Sequence, residues 1–166
     1  MQANIFNIEN EDKTLPELIA EKLTKRKQKL GLAESCTGGY IAHLITSLSG
    51  SSEYFKGGIV AYSNEIKNKI LQVDNHILDT HGAVSEDVVK QMASNLLQIF
   101  DVDYSIAVSG IAGPSGGSLE KPVGTVWIAV ADKNHVQAEC FLFSNGRERV
   151  IRQSAIAALY MLYKLL

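Results

Sequence analysis

Five short runs of β-branched, aromatic and small apolar residues, unevenly spaced, constrain this chain more than any other feature. They are residues 30–34, GGIVAYS at 57–63, YSIAVSG at 104–110, GTVWIAVA at 124–131 and VQAECFLF at 136–143. Helical patterns separate the first three, whereas only a short turn joins the last two. Strands joined through helices can run parallel, and strands joined by a tight turn pair antiparallel. The spacing therefore predicts a mixed sheet covered by helices, a three-layer α/β/α sandwich.

The helical segments have their own signals. Thr14 and Glu17 form a capping box ahead of an apolar stripe at Leu15, Leu18, Ile19 and Leu23, and KRKQK reads as its solvated end. YIAHLITSL fits a helix starting near Ser35 or Thr37, and NEIKNKIL a short one. Residues 85–100 place Val88, Val89, Met92, Leu96, Leu97 and Phe100 on one face behind Glu86 and Asp87, and helical spacing returns from about Arg147. At 166 residues and 46% hydrophobic, the chain suits one domain, read as a polar leader over 1–12 and a single unit over 13–166.

Charge and cysteine content exclude several classes. Sixteen basic against eighteen acidic residues, net −2, disfavour a nucleic-acid-binding surface. Cys36 and Cys140 are too few for a disulfide framework or a cysteine metal cage, and His43, His76, His81 and His135 are dispersed, so no metal site is expected. No apolar run matches a signal peptide or membrane span, and a cytoplasmic, membrane-free protein is the expectation.

Chemistry concentrates at the ends of the predicted strands. Ser35 closes the first and opens SCTGG, where the amides of Thr37, Gly38 and Gly39 can face an oxyanion or a phosphate; Ser35 or Thr37 can equally serve as a helix cap. Tyr62 and Lys67 follow the second strand, and a desolvated, neutral lysine can take a serine's proton. The loop VSGIAGPSGG after the third strand offers close backbone approach yet carries neither GxGxxG nor GxxxxGK[ST]. Arg147, Arg149 and Arg152 cluster at the last helix, where an arginine can hold a phosphate through paired hydrogen bonds.

Together AESCTGG at 33–39, GSSEYFKGGIVAYSNEIK at 50–67, HGAVSE at 81–86 and SGIAGPSGGSLEKPVGTVW at 109–127 closely resemble the CinA C-terminal domain family of nicotinamide mononucleotide deamidases. The resemblance implies hydrolysis of the carboxamide of nicotinamide mononucleotide to nicotinate mononucleotide and ammonia, without metal or redox cofactor, in pyridine nucleotide recycling. It also implies a homodimer, and the chain's 166 residues lead to the expectation of a stand-alone form lacking the second domain of longer CinA proteins. The family's serine, lysine and tyrosine carry over to Ser35, Lys67 and Tyr62. Thr37, Gly38, Gly39, Gly110, Ala112, Gly113, Arg147 and Arg149 are expected to shape the substrate pocket. Where the family commonly has a GDR-type turn and a second arginine four residues after the first, this chain has Gly146 ahead of Arg147, and Ile151, with Arg149 and Arg152 as further phosphate candidates. The alternative expectation is a weakly active or inactive pyridine-nucleotide-binding regulator.

Overall fold

A computed structural model describes residues 13–166; the polar leader over 1–12 lies outside the described residues. In chain order the elements are α1 (Leu15–Arg26), β1 (Leu30–Glu34), α2 (Tyr40–Thr46), a single 3-10 turn (Ser51–Glu53), β2 (Phe55–Val60), α3 (Asn64–Lys69), α4 (Asn75–His81), α5 (Glu86–Phe100), β3 (Tyr104–Gly110), β4 (Thr125–Asp132), β5 (Val136–Leu142) and α6 (Arg147–Leu165). Glu17 accepts hydrogen bonds from both the amide and the hydroxyl of Thr14 at 2.6 Å, completing the capping interaction expected at α1. The sequence reading did not resolve α4; Asp74 starts it by accepting from the His76 amide at 2.7 Å.

The sheet order is β2-β1-β3-β4-β5. β1 pairs parallel with β2 and β3, while the β3–β4 and β4–β5 pairs are antiparallel, so the sheet is mixed as expected. Because side chains alternate along a strand, Leu30 and Leu32 of β1, Ile106 and Val108 of β3, and Val126, Ile128 and Val130 of β4 face one layer, with Leu23, Ile41, Ala158 and Leu162 of α1, α2 and α6. The intervening Ala33, Ala107, Ala129 and Ala131 face Leu78 of α4 and Val88, Val89, Met92 and Leu96 of α5. The fold is thus a three-layer α/β/α sandwich. Small residues on the α5 side let that long helix lie close to the sheet, and each large side chain fully buried in either layer contributes roughly 1.5–3 kcal/mol.

The chain leaves the carboxyl end of β1 towards α2 in one layer and that of β2 towards α3 in the other, the arrangement in which open α/β sheets form a ligand crevice. The loop between β3 and β4 closes over that end. Gly124 anchors its return, donating to Ile111 O at 2.7 Å and accepting from Phe143 N at 2.9 Å. Its φ is +96°, and an added Cβ would stand 1.8 Å from Phe143 O. Gly124→Ala is therefore expected to lower stability by roughly 2–4 kcal/mol, read as a shift of the urea midpoint with unchanged m. A midpoint indistinguishable from the parent's would refute this account of the loop.

Candidate active site

Ser35 continues β1 by one residue, its amide donating to Val108 O at 2.9 Å. Alternation then sends Glu34 and Ser35 to opposite sides of the sheet's end. Glu34, 2% exposed, points to α2, where its carboxylate accepts from the amides of Gly39 (3.0 Å), Ile41 (3.1 Å) and Ala42 (2.9 Å). Gly38 and Gly39 have φ of 60° and 95°, the left-handed conformations that turn the chain sharply between strand and helix.

Two expectations are corrected here. α2 starts at Tyr40 rather than near Ser35 or Thr37, and neither hydroxyl caps it; the anion at its amino end is Glu34. The amides of Gly38 and Gly39 are also spent internally, on Ser35 O at 3.1 Å and on Glu34, so they do not face a ligand. The amides of Cys36 and Thr37 donate to no backbone carbonyl among the described residues.

Lys67 approaches from the facing layer. Ser63 caps α3 by accepting from Ile66 N at 3.2 Å, which turns the next residue inward. Lys67 is 1% exposed. Its Nζ lies 3.0 Å from Ser35 Oγ and donates to Ala61 O at 2.8 Å. The Ala61 amide donates in turn to Glu34 O at 2.7 Å, so one peptide unit links the lysine to the strand carrying the serine. No carboxylate pairs with Lys67 among the described residues. Burial accordingly holds its pKa below the ordinary 10.5. Burial also pushes the neighbouring Cys36 thiol up to about 12.

The pair opens into a cleft of about 270 Å³, also lined by Cys36, Tyr62, Asn64, Ala83, Val84, Ser109–Gly113, Ser115, Gly116 and Arg147. Arg147, the first residue of α6, donates from one terminal nitrogen to Gly113 O and from the other to Tyr62 Oη, each at 2.9 Å. Tyr62, 61% exposed, therefore stands at the mouth, with its hydroxyl engaged by Arg147. Opposite, Ser109 Oγ donates to Ala83 O at 2.7 Å, and Lys121 Nζ donates to His81 O at 2.7 Å, tying the β3–β4 loop to the α4–α5 junction.

Of the residues expected at the pocket, Ser35, Lys67, Tyr62, Gly110, Ala112, Gly113 and Arg147 line the cleft, and Thr37, Gly38, Gly39 and Arg149 do not. The Thr37 hydroxyl is buried and without a hydrogen-bond partner among the described residues. Arg152 pairs with Glu148 at 2.7 Å on the helix surface. Sequence reasoning missed Glu34, Asn64 and Ser109; for Glu34 the available signal was a carboxylate ending a buried strand five residues before a cap glycine with no side chain. A broader depression of about 440 Å³, containing Asp101, Asp132, Lys133 and His135, lies at the opposite end of the sheet.

Sequence and structural comparisons agree on the relationship. CinA-like proteins of Cytophaga hutchinsonii and Thermosipho melanesiensis are 47% and 42% identical over 146 and 165 residues, covering 88% and 98% of this chain. The chain spans only 35% and 40% of those relatives' lengths. Among solved structures, a competence-damaged protein (CinA) superfamily protein from Escherichia coli is similar with a TM-score of 0.89 at 33% identity, covering 98% of this chain and 95% of that one. The competence/damage inducible protein CihA from Agrobacterium tumefaciens is similar with a TM-score of 0.87 at 38% identity, covering 91% and 94%. The CinA C-terminal domain profile matches residues 12–166, and the chain belongs to that family.

Proposed function

We propose that the cleft binds nicotinamide mononucleotide and that Ser35 and Lys67 hydrolyse its carboxamide. The observation that carries this reading is the 3.0 Å contact between a serine hydroxyl and a lysine amine that is buried with no counter-ion among the described residues. A lysine so placed is neutral at lower pH than an exposed one, and a neutral amine can accept the serine proton. Arg147 at the mouth, on the first turn of α6, suits the phosphate of a mononucleotide, and the part of the cleft lined by Ser35 and Ser109–Ala112 would take the ring bearing the amide.

In this scheme Ser35 Oγ bonds to the amide carbon as its proton passes to Lys67 Nζ. The amide of Cys36, which lines the cleft and donates to no backbone carbonyl among the described residues, is the nearest donor in sequence for the oxyanion. The carbon–nitrogen bond then breaks, and Lys67 returns the proton to the leaving nitrogen, releasing ammonia. Water attacks the resulting ester, giving its proton to Lys67 and then to Ser35 as the serine–carbon bond breaks, and nicotinate mononucleotide leaves. Tyr62, whose hydroxyl accepts from Arg147, orients the phosphate end and, in the role the family resemblance implies, helps to orient the proton network.

A second reading is binding without turnover, in which Arg147, held by Gly113 O and Tyr62 Oη, meets the nucleotide's phosphate and Ser35 stays unreacted. Incubating the protein with nicotinamide mononucleotide while following ammonia and nicotinate mononucleotide together distinguishes the two. Hydrolysis requires both products in equal amounts. Saturable binding of the nucleotide with neither product would discard the enzyme reading in favour of a pyridine-nucleotide sensor.

A further inference from the structure

We propose that Glu34 is a positioning residue for Ser35: its buried carboxylate ties α2 to the end of β1, holding the serine against Lys67 and leaving the Cys36 amide for the reacting group. The inference deepens the hydrolase reading and rests on it. Its starting point is an apparent redundancy. A short helix needs only a serine, threonine or aspartate at its own cap, yet the cap residue here is Gly39, and the cap acceptor reaches in from five residues upstream. A local cap would satisfy the helix but leave it unattached to the strand.

Glu34 makes that attachment with both halves of the residue. Its carboxylate binds the amides of Gly39, Ile41 and Ala42, and its carbonyl accepts from Ala61, whose own carbonyl receives Lys67 Nζ. Lys67 then reaches Ser35, the residue next to Glu34, closing a ring of contacts that fixes nucleophile and amine relative to one backbone segment. Within that ring the tight turn from Ser35 to Gly38 keeps the Cys36 and Thr37 amides out of helix α2. The carboxylate's charge is met by three amides, so it stabilises the turn without serving as a counter-ion to Lys67.

Glu34→Gln preserves shape but replaces one acceptor oxygen by an NH2 that faces amide donors. In folded E34Q, kcat for nicotinamide mononucleotide is expected to fall about 10–50-fold with KM within about threefold, the split that loss of orientation gives and general destabilisation does not. Its crystal structure should show Ser35 Oγ and Lys67 Nζ separated beyond about 3.5 Å, the outer limit of a hydrogen bond. E34D, which keeps the charge but is one methylene short, should fall between E34Q and the parent in kcat, and it carries the same measurements if E34Q does not fold. A kcat within about twofold of the parent's, or an unchanged serine–lysine distance, would overturn the proposal. Should the parent protein itself leave nicotinamide mononucleotide intact, the deamidase reading fails, and the distance in the variant crystals alone decides the role of Glu34.

Discussion

Ser35→Ala and Lys67→Met are each expected to lower kcat/KM for nicotinamide mononucleotide by at least about a thousandfold, while nucleotide binding measured calorimetrically on the variants stays within about threefold. The two losses should not add: the double variant should be about as inactive as either single one, because a nucleophile and its base act as a unit. Lys67→Arg should be as inactive as Lys67→Met, since a guanidinium keeps its proton at any working pH. Persisting turnover in S35A would assign the chemistry to another group.

Burial of Lys67 gives the same prediction a pH signature. Its folded-state pKa lies below the ordinary 10.5, so kcat/KM should rise with pH through that folded value as the amine loses its proton. Stability follows with a definite sign. Between the folded pKa and 10.5 the unfolded chain holds a proton that the folded protein has released, and stability therefore rises with pH across that window. Lys67→Met removes the titration, so the stability difference between parent and variant should shift in the parent's favour as pH climbs through the window. A difference that stays constant would mean that Lys67 titrates alike in both states.

The boundaries of β1 and β3, the mixed pairing and the antiparallel β4–β5 hairpin were legible because strand period and connection length are local signals. The α4 helix was not, because its seven residues, NHILDTH, carry one buried side chain, Leu78, and too little apolar pattern to show a period. The serine–lysine pair could be named from residue types, but its contact depends on Ser63 setting the phase of α3 and on the parallel β1–β2 register, which are tertiary facts. The start of α2 was misplaced for a related reason: hydroxyls at Ser35 and Thr37 look like caps in one dimension, whereas the acceptor is a carboxylate delivered from the preceding strand. The arginine cluster similarly separated by direction rather than by spacing. Arg147 turns into the cleft, and Arg152 lies along the helix surface beside Glu148.

That separation leads to the second large effect. Arg147→Ala is expected to raise KM for nicotinamide mononucleotide by about 30–100-fold with kcat within about threefold, the loss of a charge-assisted, paired contact to a phosphate. Arg149→Ala and Arg152→Ala should change KM by less than about threefold, because one lies outside the cleft and the other is held in a surface ion pair worth about 0.3–0.5 kcal/mol. The decisive control removes the charge from the ligand instead of the protein. Nicotinamide riboside, which lacks the phosphate, should bind the parent as weakly as the nucleotide binds R147A, and R147A should treat the two ligands alike. Arg147 also braces Gly113 and Tyr62, so a purely structural role predicts the opposite pattern: equal losses for both ligands, falling on kcat as the β3–β4 loop loosens. Tyr62→Phe separates the contributions further. It removes the hydroxyl that Arg147 engages but keeps the ring, and it should raise KM for the nucleotide only about two- to fivefold, since Gly113 O still orients the guanidinium.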